Sequence, residues 1–147
     1  MNEITRISDQ EMLTLLGDLI RLGKKAEARL DSVLGGTDLS ATKLLLLDRM
    51  GNMDEPLSLS SLATHLVCVK SNVTQLVDNL EGSGLVKRVA DPQDRRSTLL
   101  EITDKGKRQY DAALDALQPV VEKLESLSPE DRAALQTLAQ TISKLLT

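Results

Sequence analysis

The sequence contains no phenylalanine, no tryptophan, one tyrosine and one cysteine in 147 residues. One cysteine cannot form a disulfide within the chain, so nothing points to an oxidising compartment. With a single tyrosine as its only large aromatic residue, the chain has to build its core from Leu, Val, Ile, Met and Ala, and leucine-rich patterning favours helices. No run reaches the roughly 18 apolar residues of a membrane span, and the polar start MNEITRISDQE does not resemble a secretory signal. We therefore predict a cytoplasmic, mainly helical protein.

Recognisable catalytic and metal-binding patterns are also lacking. There is no glycine-rich phosphate loop, no serine–histidine–aspartate arrangement and no carboxylate pair in a recognisable frame. The single histidine, His65, and the single cysteine, Cys68, are three residues apart, but a closed zinc site needs about four ligands. We predict that the protein is not an enzyme and holds no metal or cofactor. Cys68 is interpreted as a small buried hydrophobic residue, with thiol sensing as the alternative.

Charge is distributed unevenly along the chain. The formal net charge is −4, which by itself argues against nucleic acid as a partner. Residues 57–110 nevertheless hold eight basic and six acidic residues, a net charge of +2, which leaves −6 for the rest. A basic region within an acidic chain indicates where phosphate groups would be attracted.

The region from 59 to 103 combines two short helices with a hairpin. The first helix is predicted to begin at a capping Ser60, and the second begins near Lys70 after the turn Val67-Cys68-Val69. Two strands follow, LVKRVA and STLLEIT, joined by the polar loop DPQDRR, and residues 57–59 form a short strand that could pair with them. This order predicts a helix-turn-helix with a two-stranded wing, which suits the major and minor grooves of duplex DNA.

The second helix carries apolar residues on one face and short polar groups on the other. The buried stripe is predicted at Val73, Leu76, Val77 and Leu80. The candidate base-reading residues are Lys70, Ser71, Asn72, Thr74 and Gln75. Asparagine and glutamine can pair bidentately with adenine in the major groove. An ordinary solvated helix face is the alternative interpretation.

The wing is predicted to carry two arginines, Arg95 and Arg96, at or just past its tip. An arginine on a thin polar hairpin can insert into the narrow minor groove, where negative potential is focused. Asp94 is expected to hold one guanidinium while the other projects. A solvated charged turn is the alternative.

Long amphipathic helices are predicted on both sides of this unit. Ser8 with Glu11 forms a capping box for the first helix, which ends at Gly35-Gly36. A second helix runs from a capping Ser40 to Gly51. After the wing, Thr103 caps a helix that kinks at Pro119, and a last helix starts at Ser128-Pro129.

The wide apolar stripes of the terminal helices lack an obvious partner within the small winged unit. A second copy of the chain would bury them and set two DNA-reading units at a fixed distance, which predicts a homodimer on a near-palindromic operator. The chain is accordingly divided into an N-terminal dimerisation helix (1–36), a winged helix-turn-helix DNA-binding domain (37–103) and C-terminal dimerisation helices (104–147). The fold class is mainly α with a small β-wing (α+β).

The segments LSLSSLA (57–63), VTQLVDNLE (73–81), DPQDRRS (91–97) and ITDKG (102–106) are similar to the multiple antibiotic resistance regulator (MarR) family of transcription factors. The resemblance runs from Leu39 to about Ala113. It implies a homodimer with winged heads that binds double-stranded DNA. Many such proteins repress transcription and release DNA when a small, often phenolic or lipophilic, effector or an oxidant acts on them.

The resemblance also assigns roles to individual residues. Lys70, Ser71, Asn72, Thr74 and Gln75 occupy recognition-helix positions, Arg95 matches a minor-groove wing arginine, and Asp94 with Arg96 matches the pair that braces the wing. Two positions depart from the pattern, with Val69 where a capping serine is common and Gln75 where an arginine is common. The prediction is a ligand- or stress-responsive repressor; the alternatives are a winged-helix protein–protein adaptor that does not read DNA, and a redox sensor that uses Cys68.

Overall fold

The structure is a computed structural model, and it describes residues 6–52, 55–66 and 70–146, with the backbone alone for residues 65, 66, 70 and 71. The helices are α1 (Asp9–Leu34), α2 (Ala41–Gly51), α3 (Leu59–Leu66), α4 (Lys70–Gly82), α5 (Asp104–Ala116), α6 (Gln118–Leu124) and α7 (Pro129–Leu145). The strands are β1 (Leu57–Ser58), β2 (Val86–Ala90) and β3 (Thr98–Ile102). The predicted class, mainly helical with a small antiparallel sheet, is confirmed.

The two long terminal helices begin where their capping residues predict. At the start of α1, the Glu11 amide donates to Ser8 Oγ over 3.2 Å, and the Ser8 amide donates to Glu11 Oε2 over 2.9 Å. The bond from the Ser8 amide, followed by one from the Ser8 hydroxyl to the same Glu11 oxygen over 2.9 Å, stabilises the carboxylate and lowers the pKa of Glu11. At α7, the Asp131 amide donates to Ser128 Oγ over 3.0 Å, and proline occupies the first helical position.

α2 is capped from two directions. The Lys43 amide donates to Ser40 Oγ over 3.3 Å, as predicted, and the Ala41 amide donates to Asp31 Oδ1 over 2.6 Å. Asp31 belongs to α1, so this bond attaches the end of α1 to the start of α2. Gly51, the predicted stop, is the last residue of α2, and Asn52 follows it as the C-cap.

The buried core lies between residues 34 and 113. α2, α3 and α4 contribute most of it, with further side chains from the ends of α1 and α5 and from the sheet. Its largest fully buried members are Leu34, Leu46, Leu47, Leu62, Leu80, Leu85, Leu100, Val73, Val77 and Val86. The predicted inward stripe of α4 is confirmed, with Leu76 partly buried against the core.

The sheet has the order β1-β3-β2, and both pairings are antiparallel. The short strand at residues 57–58 therefore pairs with the hairpin, as the sequence suggested. Leu57 lies opposite Leu100, and Leu100 lies opposite Arg88 on β2. Residues directly opposite each other in a sheet share a face. Because Leu57 and Leu100 are buried, this face packs against the helices.

Two helix boundaries differ from the predictions. Ser60 lies inside α3, and the cap is Ser58, whose Oγ accepts the Ser61 amide at 3.1 Å. The helix after the wing does not merely kink near Pro119 but breaks at Leu117 into α5 and α6. Proline has no amide hydrogen and its ring collides with the carbonyl four residues earlier, so the α5 bonding pattern cannot continue through it.

α5 starts against the turn between α4 and β2. The Thr103 amide donates to the Leu85 carbonyl over 3.0 Å, and the Thr103 hydroxyl donates to the Gly84 carbonyl over 2.7 Å. Gly106 packs so closely here that a Cβ atom would lie 2.1 Å from the Leu85 carbonyl oxygen. The start of the C-terminal region is therefore rigidly attached to the winged unit.

The terminal helices expose their apolar faces. Leu13, Leu15, Ile20 and Leu22 on α1 are each at least half exposed, as are Leu124, Leu135, Leu138 and Leu145 beyond residue 113. Across the parts of the chain that the structure describes, no helix is both long enough and apolar enough to cross a lipid bilayer.

Candidate nucleic-acid interface

The candidate DNA-reading helix, α4, presents its polar side chains away from the core. Val73, Val77 and Leu80 are fully buried, whereas Asn72 and Gln75 are exposed and Thr74 is half-buried. The backbone of Lys70 and Ser71 forms the first turn of α4, and their side chains lie outside the description. The exposed amides therefore occupy the first turns of the helix, from which a docked helix contacts base edges.

A tight turn connects α4 to the wing. Gly84 has a φ of +74°, its amide donates to the Glu81 carbonyl over 2.9 Å, and the Leu85 amide donates to the Leu80 carbonyl over 2.9 Å. This pair of bonds is a Schellman motif, in which glycine adopts the left-handed conformation without a steric penalty. β2 then begins two residues later, so the wing follows directly from the end of α4.

The wing loop, residues 91–97, is shaped by two aspartates. Asp91 Oδ1 accepts the Gln93 amide at 2.8 Å, and Asp94 Oδ1 accepts the Arg96 amide at 3.0 Å. The ends of the loop are closed by the Asp91 amide, which donates to the Ser97 carbonyl over 3.2 Å. Aspartate commonly fixes turns in this way, by accepting from the amide two residues ahead.

The prediction that Asp94 holds an arginine side chain differs from what the structure shows. Asp94 binds the backbone of Arg96 instead of a guanidinium. Arg95 and Arg96 are both exposed, and neither forms an ion pair with any carboxylate that the structure describes. The short aspartate side chain reaches the nearby amide more easily than the end of a long side chain, so both guanidinium groups project from the loop.

Two cations near the base of the wing have local partners. Lys87 pairs with Glu101 on the neighbouring strand at 3.0 Å. Lys105 Nζ donates to the Ser83 carbonyl over 2.8 Å, at the C-terminal end of α4 where a cation is favoured. In the wing loop, by contrast, two adjacent guanidinium groups lack a carboxylate partner among the described residues.

Arg88 was not predicted as a functional residue, yet it joins the wing to α4. Its guanidinium bonds to Asp78 at 2.5 Å and also to Glu81, and its amide donates to Glu81 Oε1 over 3.3 Å. The hydrogen bond to Asp78, followed by that to Glu81, raises the pKa of Arg88 above its usual range. Asp78 and Glu81 are one helical turn apart, but no local sequence signal pairs them with a residue on the following strand.

The turn that precedes α4 carries two further sequence predictions. Residues 67–69 lie outside the described residues. They include Val69, which stands where the family pattern has a capping serine, and Cys68, the candidate buried or redox-active thiol. The backbone of His65 belongs to α3, and its side chain is not described. The interpretations of Cys68 therefore stay predictions.

A cavity of about 300 Å³ lies where α2, β3 and α5 meet. Its lining includes Leu47, Asp48, Ile102, Lys107 and Tyr110. The Tyr110 hydroxyl donates to Asp48 Oδ1 over 2.5 Å, and this bond, with partial burial, raises the pKa of Tyr110 to about 12. The single tyrosine of the chain therefore borders a cavity at the start of the C-terminal helices.

Comparison with known proteins matches residues 39–98 to the family model described as the MarR family. The chain is 34% identical to the HTH-type transcriptional regulator YkoM of Bacillus subtilis over 56% of this chain and 54% of that protein. The first curated relatives are therefore matched over only about half to three fifths of their own length.

Solved structures are matched over nearly the whole chain. The transcriptional regulator BldR of Sulfolobus solfataricus is 28% identical, with a TM-score of 0.78 over 95% of this chain and 99% of that chain. The transcriptional repressor CouR, bound to a 23-mer DNA duplex, is 26% identical with the same TM-score and coverage. CouR from Rhodococcus jostii RHA1 bound to p-coumaroyl-CoA is 25% identical, with a TM-score of 0.72 over 86% of this chain and 87% of that chain.

Proposed function

Because the chain belongs to the MarR family, as its sequence motifs predicted, we propose that it is a sequence-specific DNA-binding transcriptional regulator. Proteins of this family are transcriptional regulators and not enzymes. The observation that carries the proposal is the pairing of an exposed polar face on α4 with two arginines at the wing tip that lack carboxylate partners among the described residues. CouR, which shares the fold over its whole length, has been solved on duplex DNA.

In this proposal α4 enters the major groove and the wing enters the adjacent minor groove. Asn72, Thr74 and Gln75, with Lys70 and Ser71 in the first turn, contact base edges and phosphates. Arg95 inserts into the minor groove, and Arg96 contacts the backbone beside it. Asp94 serves both by fixing the loop from which they project.

The protein acts as a homodimer through residues 1–36 and 104–147. The exposed leucines of α1, α6 and α7 support this, because contiguous apolar faces of this kind mark protein–protein contacts. Two copies related by a two-fold axis would read a near-palindromic operator whose half-sites share the spacing of the two α4 helices.

We further propose that the protein works in the cytoplasm as a repressor that responds to a small lipophilic or phenolic effector. The complex of CouR with p-coumaroyl-CoA supports this effector class. The cavity beside Tyr110 is the candidate location, because it lies between α2 of the winged unit and α5 of the C-terminal region. An occupant there would change how the two regions pack.

The direct test is DNA binding by the purified chain. Duplexes selected from a genomic or random pool give the operator, and fluorescence anisotropy then gives affinity as a function of salt. Arg95→Ala should weaken binding by about ten-fold. It should also reduce the slope of log affinity against log salt concentration by roughly one, because a cation is lost from the DNA-binding surface. Arg49→Ala is the matched control, because it removes the same charge from an exposed position on α2, outside α4, the wing and the proposed dimer regions, and it should leave affinity nearly unchanged.

A protein–protein adaptor with a winged fold predicts a different result. It would bind no selected duplex at low salt, and Arg95→Ala would then have no measurable effect. Equal losses in Arg95→Ala and Arg49→Ala would indicate attraction through net charge alone and would contradict the wing's role.

A further inference from the structure

The contact between Arg88 and α4 spans the two elements that the proposed function places in different grooves. Arg88 is the third residue of β2, and Asp78 and Glu81 are on successive turns of α4. The guanidinium reaches both carboxylates, and its side chain is only 27% exposed. The Arg88 guanidinium on β2 thus links the wing to two side chains of α4, Asp78 and Glu81.

A guanidinium suits this position because its donors are held in a fixed plane. Two carboxylates bound to one fork restrain both the distance and the angle between partners, which a single point charge on a lysine does not. The bond from the Arg88 amide to Glu81 adds a restraint from the backbone itself. The root of the wing is therefore tied to the helix through side-chain and backbone contacts together.

The same contact removes negative charge from the DNA-facing side of the unit. Asp78 is on the polar face of α4, and its side chain is 57% exposed. Unpaired, it would repel phosphates near the helix. Paired with Arg88, its charge is largely compensated.

We propose that Arg88 is a positioning residue for DNA recognition, which holds α4 and the wing at the angle that lets both engage one duplex. This inference rests on the proposed function. Arg88 contacts no DNA in this account. It acts through Arg95, because a wing that is free to swing about its root places the tip arginine in the minor groove only part of the time.

The test is a double-mutant cycle on the selected operator between Arg88→Met and Arg95→Ala. In the wild-type background Arg95→Ala should weaken binding about ten-fold, and in the Arg88→Met background the same change should weaken it less than about three-fold. Loss of stability alone would leave the two effects independent. Circular dichroism and thermal unfolding verify that each variant is folded at the assay temperature.

A charge-matched variant separates positioning from electrostatics. Arg88→Met combined with Asp78→Asn keeps the net charge of the wild-type cluster but lacks the bridge. Positioning predicts that the effect of Arg95→Ala stays small in this variant. Recovery of wild-type affinity together with the full ten-fold effect would show that Arg88 merely neutralises Asp78, and it would overturn the proposal.

Two further outcomes are distinguishable. If Arg88→Met does not fold, the cycle is run with Asp78→Ala/Glu81→Ala, which removes both acceptors of the bridge from the helix side and should reduce the effect of Arg95→Ala in the same way. If the wild-type protein binds the operator but Arg95→Ala costs the same in every background, the positioning role fails alone. If the wild-type protein binds no duplex, the proposed function fails with it.

Discussion

The central unit, residues 34–113, and the terminal helices differ in what covers their leucines. Leu46, Leu47 and Leu80 in the central unit are fully buried, whereas Leu135 and Leu138 on α7 are 53% and 58% exposed. Both regions show apolar residues at helical spacing. The periodicity of a helix therefore identifies its apolar face but does not identify the molecule that covers it.

The boundary between the two regions falls within α1. Its last residue, Leu34, is fully buried, and Asp31 accepts the Ala41 amide, so the end of this helix belongs to the central unit. Leu13 and Leu15, near its start, are at least half exposed. One continuous helix thus connects the packed unit to the exposed apolar face, and a partner bound at the start of α1 would be rigidly linked to the DNA-reading elements.

The largest effect that we predict is a strong destabilisation of the central unit by Gly106→Ala. The added Cβ would lie 2.1 Å from the Leu85 carbonyl oxygen and 2.7 Å from Ile102 Cγ2, and the first of these neighbours is backbone. Relief requires that α5 move away from the turn between α4 and β2. We expect a loss of about 3 kcal/mol or more in the free energy of unfolding, measured by urea denaturation.

Gly23→Ala in α1 is the matched control for this substitution. A Cβ there meets nothing within 4 Å, and alanine is the better helix former, so stability should rise by about 0.5–1 kcal/mol. A Gly106→Ala protein as stable as the wild type would contradict the close packing at the α5 junction.

The second prediction compares two leucines of nearly equal exposure. Leu138 on α7 is 58% exposed and Leu45 on α2 is 56% exposed. If a second copy covers α7, Leu138→Glu buries a charge in each subunit and should raise the dimer dissociation constant roughly 100-fold or more. Leu45→Glu should leave it unchanged, because a singly exposed leucine needs no partner. Sedimentation equilibrium measures both constants.

Two results would break the comparison. A wild-type chain that is monomeric at micromolar concentration would mean that the terminal faces are not covered by a second copy. Equal dissociation of both glutamate variants would mean that the interface extends onto α2, so that the central unit itself contributes to it.

Local features could be predicted from the sequence because their causes are local. Ser8, Ser40, Thr103 and Ser128 each accept an amide three residues ahead, and that spacing is visible in the sequence itself. The misplaced cap of α3 has a local cause as well. Ser58, Ser60 and Ser61 are close together in the sequence, and only the pairing of β1 with β3 determines that the strand ends at Ser58.

Contacts between distant residues could not be predicted in this way. The bridge from Arg88 to Asp78 and Glu81 depends on the tight turn at Gly84, and the bond from Tyr110 to Asp48 joins residues 62 positions apart. Neither contact belongs to a local sequence motif, so the sequence gives no signal that pairs these residues. The wing shows the same limit, because the sequence placed Asp94 beside the arginines but did not identify which atom of Arg96 it binds.

The third and smallest effect concerns the bond between Tyr110 and Asp48, which ties α5 to α2. Tyr110→Phe keeps the ring and removes one hydrogen bond, so the free energy of unfolding should fall by about 1 kcal/mol at neutral pH. Asp48→Asn is the companion variant, since an amide oxygen still accepts from the hydroxyl without the charge. Urea denaturation of the three proteins under one buffer gives the comparison.

The difference in unfolding free energy between wild type and Tyr110→Phe should depend on pH, and this dependence tests whether the Tyr110 hydroxyl causes it. The pKa of Tyr110 is raised from 10.0 to about 12 in the folded chain, because the protonated phenol is the form that donates to the Asp48 carboxylate. The stability from this bond is therefore fully present below pH 10 and is lost as the pH rises from 10 towards 12. The gap between wild type and Tyr110→Phe should be constant from pH 7 to 9 and should close above pH 10. Lysines titrate in the same range, but they do so in both proteins and cancel in the difference. A gap that persists unchanged at pH 11.5 would mean that it does not come from the bond of the protonated hydroxyl to Asp48. A gap of zero at neutral pH would mean that Tyr110 stabilises the junction through packing of its ring, which phenylalanine keeps.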